Sequence, residues 1–427
     1  MFKFLLKGLF RDPSRSRFPV IIVAVGIFLF VFLQAFMMGA IQDMINITAK
    51  MESGHFKIMT RAYEELSSVI PNDLAMMNVD EMLEELREEY PDLIWTPRIR
   101  FGGLIDIPDE NDETRVQAPV TGLGLDLLSP GSIELDNFNF SDPSVLKGRM
   151  PKESNEILLS AQFAEQAGVQ IGDQATLVGS TMYGSMTIHN FKVCGLVEFG
   201  ISAMDKGALI VDIEGARQAL DMENCAGEIL GFYEDMNYSD RNEETEQMRD
   251  AFNEKYSDVN DEFSPIILNF MDQNGMRSLM QTMDVAIYGM LFLFMLVMFI
   301  VLWNSGLLNG IRRYSEVGLR LAIGEEKNHL IRTMLLESLV IGFVGSLIGT
   351  LFGLAISWYF QVYGIDVSYA LDSSSIMFAN VFRAKITGQT LYIGFIPGLL
   401  ATFLGTLMAS RGIRKRQTAQ LFKELEV

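Results

Sequence analysis

Four long apolar runs interrupt a chain that otherwise alternates between polar and apolar positions. They fall at residues 18–42, 284–309, 334–360 and 390–410. Each approaches the ~20 apolar residues needed to cross ~30 Å of hydrocarbon as a helix, so each predicts a membrane span. Glu337, near the start of the third run, is the one ionisable residue clearly inside these limits. The first run is longer than the roughly 7–15 residues of a signal-peptide core, and no clear A-x-A site follows it. A retained anchor is expected.

Residues 43–283 have a different pattern. Alternation and β-branched content predict strands over 100–107, 116–121, 175–178, 186–197 and 208–211. Helical spacing predicts helices over 80–90, 162–167, 213–220 and 243–256. The expected fold is an α-helical membrane protein with four transmembrane helices. A large mixed α+β domain is inserted between the first helix and the second.

Charge assigns sides to these parts. The 427 residues include 34 basic and 54 acidic side chains, a net −20, yet 49% are hydrophobic. Residues 43–283 hold 17 basic and 44 acidic side chains, a net −27, which leaves +7 for everything else. The basic residues border the apolar runs. Lys3, Lys7, Arg11, Arg15 and Arg17 precede the first run. Arg312, Arg313, Arg320, Lys327 and Arg332 separate the second and third, and Arg411, Arg414, Lys415, Arg416 and Lys423 follow the fourth. Short basic segments stay in the cytoplasm. Residues 1–17, 310–333 and 411–427 are therefore expected inside, and residues 43–283 with the short loop 361–389 outside. The acidic balance argues against a nucleic-acid partner.

Site chemistry is sparse. Asp106, Asp109, Asp112 and Glu113 lack calcium-loop spacing and its central glycine. His55, His189 and His329 are far apart, which argues against a metal site. No G-x-S-x-G or Cys–His pattern suggests a catalytic nucleophile. The sequence contains no Walker A loop, so this chain is expected to bind no ATP of its own. Cys194 and Cys225 both fall outside and can form a disulfide, although Cys194 lies in a β-like core run. Two cysteines exclude a disulfide-stapled scaffold.

Two patterned stretches remain. In the third run Gly345, Gly349 and Gly353 recur every fourth residue, with Gly342 in an adjacent small-residue row. Such ridges allow close helix approach, either within one bundle or at a dimer interface. In the basic loop, Arg313, Glu316 and Arg320 fall on one helical face. Val317, Leu321 and Ile323 supply apolar contacts, while Gly318 and Gly324 permit close approach and a helix end. By itself this reads as a short amphipathic helix at the cytoplasmic surface.

The stretch Arg312-Arg313-Tyr-Ser-Glu316-Val-Gly318-Leu-Arg320-Leu-Ala322-Ile-Gly324 resembles the R-x-x-E-[IV]-G-x-x-[RK]-A-[IL]-G motif of ABC-transporter permeases of the MacB, LolC/LolE and FtsX type. Leu336-Glu337-Ser338 and the glycine ladder are similar to that family's third span. In the outside domain, Lys147-Gly148-Arg149, Asn155-Glu156-Ile157, the GVQIGD of 168–173 and Phe191-Lys-Val-Cys-Gly195 resemble a LolC/LolE-like pattern. Glu325 departs from the alanine often found there, and the outside domain is unusually acidic.

The resemblance implies a permease in the inner membrane whose large domain is periplasmic. It further implies two permease chains, identical or not, and two copies of a separate cytoplasmic ATPase that supplies ATP and Mg. Arg313, Glu316, Gly318, Arg320, Ala322 and Gly324 would then form an ATPase-coupling helix. Transport would proceed by mechanotransmission, in which ATPase closure moves the spans as levers on the outside domain. The implied substrate is a lipoprotein passed to a carrier. The alternatives are a MacB-like exporter of amphiphilic peptides or drugs working with an adaptor, an FtsX-like regulator of cell-wall hydrolases, and a scaffold without transport.

Overall fold

The division between apolar runs and mixed segment reappears as two structural units. The computed structural model describes residues 13–108, 113–141, 145–199, 202–234, 238, 241–312, 314–366 and 381–415. One unit comprises Met1–Gln42, Gln281–Ile365 and Phe382–Val427, the other Asp43–Met280 and Asp366–Val381. Lys3, Lys7, Arg11, Asp109, Asp112, Arg313, Arg416 and Lys423, named above for their charge, lie outside the described residues.

Four helices are long and apolar enough to cross a membrane among the described residues. They are Pro13–Thr48, Met276–Arg312, Lys327–Tyr363 and Phe395–Lys415. The first has 36 residues, about 54 Å at ~1.5 Å per residue, which well exceeds the ~30 Å of hydrocarbon. The helical hydrogen-bond ladder therefore continues into polar sequence where the apolar pattern stops.

The third span packs through its glycines. A Cβ at Gly345 would sit 2.6 Å from Val23 Cβ, one at Gly349 2.5 Å from Ala24 O, and one at Gly353 2.8 Å from Val31 Cγ1. These three glycines all meet the first span. Gly342 instead faces the fourth, where a Cβ would lie 2.5 Å from Thr402 Oγ1 and 2.9 Å from Gly398 O. The ridge is thus occupied by helices of the same chain. Val23, Ile27, Val31, Met298 and Ala401 form a buried core beside it. Lipid is as apolar as leucine, so this close van der Waals contact, rather than escape from water, holds the spans together.

The inserted domain is mixed α/β. Its strands are β1 (Phe56–Thr60), β2 (Met76–Met77), β3 (Leu93–Pro108), β4 (Thr114–Leu125), β5 (Leu146–Gly148), β6 (Glu156–Ser160), β7 (Gln174–Ser180), β8 (Met186–Val197), β9 (Ala208–Asp212), β10 (Cys225–Ala226), β11 (Glu228–Tyr233) and β12 (Pro265–Asn269). The main sheet runs β12-β1-β11-β3-β4-β9-β6-β8-β5, and β7 pairs with both β3 and β8. That double pairing closes β3-β4-β9-β6-β8-β7 into a barrel. The 16-residue β3 serves both parts, since 93–98 pair with β11 and 103–106 pair with β7. β1 lies between β11 and β12, antiparallel to each. Ile99, Phe101, Ile105, Ile157, Leu159, Phe191, Val193, Leu209 and Val211 are among the buried residues of the principal core. The helices Val79–Glu89 and Ile213–Leu220 contribute Leu83, Leu86 and Ala216 to it.

The motifs that resemble a LolC/LolE-like pattern meet at one place. β5 pairs Gly148 with Gly195 of β8, and β6 lies parallel to β8 along its other edge. Arg149 grips Glu156 through both guanidinium nitrogens, with Nη1 to Oε2 at 2.6 Å. Gly172 takes φ of +106°, and its N–H donates to Val193 O at 2.8 Å. Asp173 accepts from Gln170 N and pairs with Arg115. These residues tie β5, β6 and β8 and the turn before β7 together.

Each half of the fold carries a test. Gly349→Val should destabilise the helix bundle by about 1–3 kcal/mol through overpacking, read as an earlier unfolding midpoint in detergent titration. The Arg149 guanidinium holds the Glu156 carboxyl down to about 2, against an ordinary value of 4.5. A depressed carboxylate adds stability that is present above 4.5 and lost as pH falls towards 2. Arg149→Met should remove that part of the pH dependence of thermal unfolding and leave the neutral-pH melting curve of the domain cooperative.

Candidate functional site

The basic loop between the second and third spans folds as the helix Tyr314–Ala322. Val317, 4% exposed, packs with Leu321 against Leu330 and Met334 at the start of the third span's helix. Ile323, expected to add to that apolar contact, is instead 79% exposed. One residue beyond the helix end, it points away from the side that Val317 and Leu321 bury.

Gly324 ends this element by a specific device. Its φ is +100°. The Gly324 N–H donates to Leu321 O and the Glu325 N–H to Arg320 O, both at 3.1 Å. This pair of bonds is the Schellman arrangement, which satisfies the last carbonyls of a helix and favours glycine at the left-handed position. His329 Nδ1 then lies 2.9 Å from Glu325 Oε1 across the start of the next helix.

Of the six residues read as a coupling set, Arg313 lies outside the described residues, and Glu316 is described by its helical backbone alone. Gly318 is buried, whereas Arg320, Ala322 and Gly324 are exposed. Leu319, 54% exposed, joins Ile323 four residues on. The open side is therefore mixed, two aliphatic side chains around one guanidinium. Sequence reasoning passed over Leu319; its displacement from the Val317–Leu321 stripe is the signal that marks it.

Elsewhere several buried polar groups are paired within the fold. Gln34 is fully buried in the membrane unit and accepts from Thr390 Oγ1 at 2.8 Å. In the domain, Lys57 and Glu228 form a buried ion pair at 2.8 Å. Burial pushes the Glu228 carboxyl up, but Lys57 and Arg100 outweigh it and hold the group below its ordinary value. His189 leans on Phe191, and burial lowers its pKa. Both cysteines are free and buried. Cys194 Sγ donates to Ile157 O and Cys225 Sγ to Glu223 O, and burial pushes the Cys194 thiol up to about 12. Among the described residues no group of three His, Cys, Asp or Glu is placed to hold a metal ion.

Comparison with known proteins places the membrane unit. Residues 288–418 match the family model described as FtsX-like permease C-terminal. The macrolide export ATP-binding/permease protein MacB of Wolinella succinogenes is 31% identical over 106 residues, 25% of this chain and 16% of that protein. MacB of Mannheimia succiniciproducens is 28% identical over 128 residues, 30% of this chain and 19% of that protein. The matches thus span less than a fifth of either relative. A crystal structure of the periplasmic region of MacB from Actinobacillus actinomycetemcomitans aligns with 54% of this chain and 92% of its own, at 13% identity and a TM-score of 0.34. Four candidate spans, a short helix between the second and third and a large domain between the first and second thus accompany a segment, residues 288–418, that is similar to the C-terminal part of FtsX-like permeases.

Proposed function

We propose that this chain is the permease subunit of an ATP-driven transporter that works by mechanotransmission, with ATP bound and hydrolysed by a separate cytoplasmic subunit. The observation that carries this reading is the helix Tyr314–Ala322. Its Val317 and Leu321 are anchored on the third span's helix, while Leu319 and Ile323 are exposed. An element packed on a span through one side and exposing aliphatic side chains on another can pass a push from a docked subunit into that span. The polar residues Arg313, Glu316 and Arg320 would set orientation on the ATPase, and Gly318 and Gly324 the closeness of approach.

The spans favour force over passage. Their exposed side chains include Phe292, Leu293, Leu351 and Phe352, and Gly342, Gly345, Gly349 and Gly353 of the third are taken up in helix packing. Carriers that move ions through the bilayer keep charged ligands near its middle. In this reading the loops that hold Arg320 and the termini face the cytoplasm, and the acidic domain is periplasmic. Two chains, identical or not, would pair with two ATPase copies, whose Mg and ATP supply the energy. The substrate would be an amphiphile already at the outer face.

A lipoprotein handed to a periplasmic carrier is the first candidate, from the resemblance of the domain's motifs to LolC/LolE. MacB-like export is the second, supported by the names of the relatives that match the membrane unit.

Exchanging the charges with Glu316→Lys and Arg320→Glu should cut copurification of the ATPase at least tenfold, and undiminished capture would overturn the coupling role. Depletion of the protein separates the substrates. Accumulation of lipoproteins in the inner membrane is the expected result, whereas normal sorting with new sensitivity to amphiphilic drugs selects export.

A further inference from the structure

The helix that begins at Pro13 as the first span runs unbroken to Thr48 and continues as a wider π-type turn over Ala49–Ser53. A helix end leaves its last carbonyls without partners. Here the domain itself supplies them. Arg98 of β3 is fully buried, and its Nη1 donates to Met51 O at 2.6 Å and its Nη2 to Lys50 O at 2.9 Å. The same guanidinium is fixed from behind by Glu134, with Nε to Oε1 and Nη2 to Oε2 both at 2.7 Å. Thr96 Oγ1 donates to that carboxylate as well. The rings of Phe138 and Phe232 lie 5.4 and 5.8 Å from the guanidinium carbon. Two residues along the strand, Arg100 reaches Glu52 at 3.7 Å. Gln273, just ahead of the second span's helix, donates to Ser53 O at 3.0 Å.

We propose that Arg98, backed by Glu134, is the residue that transmits movement of the first span's helix into the domain. This rests on the mechanotransmission reading above and names the joint through which it acts. The covalent path from helix to sheet runs through Gly54, at φ +61°, a residue whose backbone lacks the restriction a side chain imposes. The guanidinium path bypasses it. Arg98 is planar, held by both edges and packed between rings, so it cannot follow the helix end without carrying β3. β3 pairs with β11, β4 and β7, so a displacement delivered there reaches both the barrel and the sheet beside it. The cation also lies where the helix dipole is negative, which strengthens the grip.

The test uses the full chain with its ATPase subunit in lipid nanodiscs, spin-labelled at Tyr183→Cys and Val285→Cys, which are both exposed. The native thiols are buried. The readout is the change in label-to-label distance between the ADP state and the ATP-plus-vanadate state, measured beside the ATP hydrolysis rate. Arg98→Met alone would strand the Glu134 carboxylate, so the variant is Arg98→Met with Glu134→Leu, because exchange of a buried ion pair for apolar residues frequently leaves stability intact. The expected result is a distance change reduced at least threefold, with hydrolysis within twofold of the parent. If that variant does not fold, Arg98→Lys carries the same comparison, since it keeps the charge on Glu134 and loses the fork. A distance change equal to the parent's in the folded variant overturns the joint. A parent that shows no nucleotide-dependent change sinks the mechanotransmission reading, and the joint with it.

Discussion

The inserted domain begins and ends on neighbouring strands, and the rest of the molecule depends on that pairing. β1 and β12 form an antiparallel ladder from Phe56–Asn269 to Thr60–Pro265. Phe270 N donates to His55 O just beyond it, and Gln273 binds both Ser53 O and Asn269 O. A chain that leaves through one span and returns through the next has to bring its ends together. Doing so with a ladder of backbone bonds, instead of loose linkers, makes the base of the domain stiff. β1 and β12 thus close the two ends of the domain on one hydrogen-bonded ladder.

Above that platform the fold separates rigidity from adaptability. β3 is shared between the barrel and the sheet beside it, so its pairing ties the two together. Buried ion pairs such as Lys57–Glu228 and Arg98–Glu134 lie at or next to this strand. Desolvation makes such pairs weak contributors to net stability but costly to break singly, which suits positions that must keep one arrangement. In the membrane unit the same purpose is met without charge. Gly345, Gly349 and Gly353 let the third span lie against the first, and contact falls off steeply with separation, so close packing holds the two helices together.

Several elements were easy to read in the sequence and others were silent, for identifiable reasons. β8 was predicted with the bounds it has, because its outer half alternates between polar and apolar residues. β1, β6, β11 and β12 were not predicted. β1, β6 and β11 are buried at every position, so FKIMT, EILLS and EILGFY show no alternation and are too short to stand out as apolar runs. β12 is a short edge strand that opens on a proline. In the candidate coupling helix, glycine and charge spacing drew attention to Arg320 and Gly324. The exposure of Leu319 and Ile323 emerged only once Leu330 and Met334 were seen to claim the opposite side.

The sequence by itself determined the number of spans, the place of the insertion and the concentration of acidic charge within it. All three are consequences of local composition acting over ~20 residues or more, and no distant contact can reverse them. The tertiary structure decided what the motifs and the isolated charges do. Arg149 and Glu156 are read as family signatures along the chain, yet they form a strand clamp. Arg98 is an unremarked arginine in an apolar stretch until β3 carries it to Glu134 and to the carbonyls of Lys50 and Met51, 36, 48 and 47 residues away. Such an interaction has no local signature, because its partners become neighbours only after the sheet has closed.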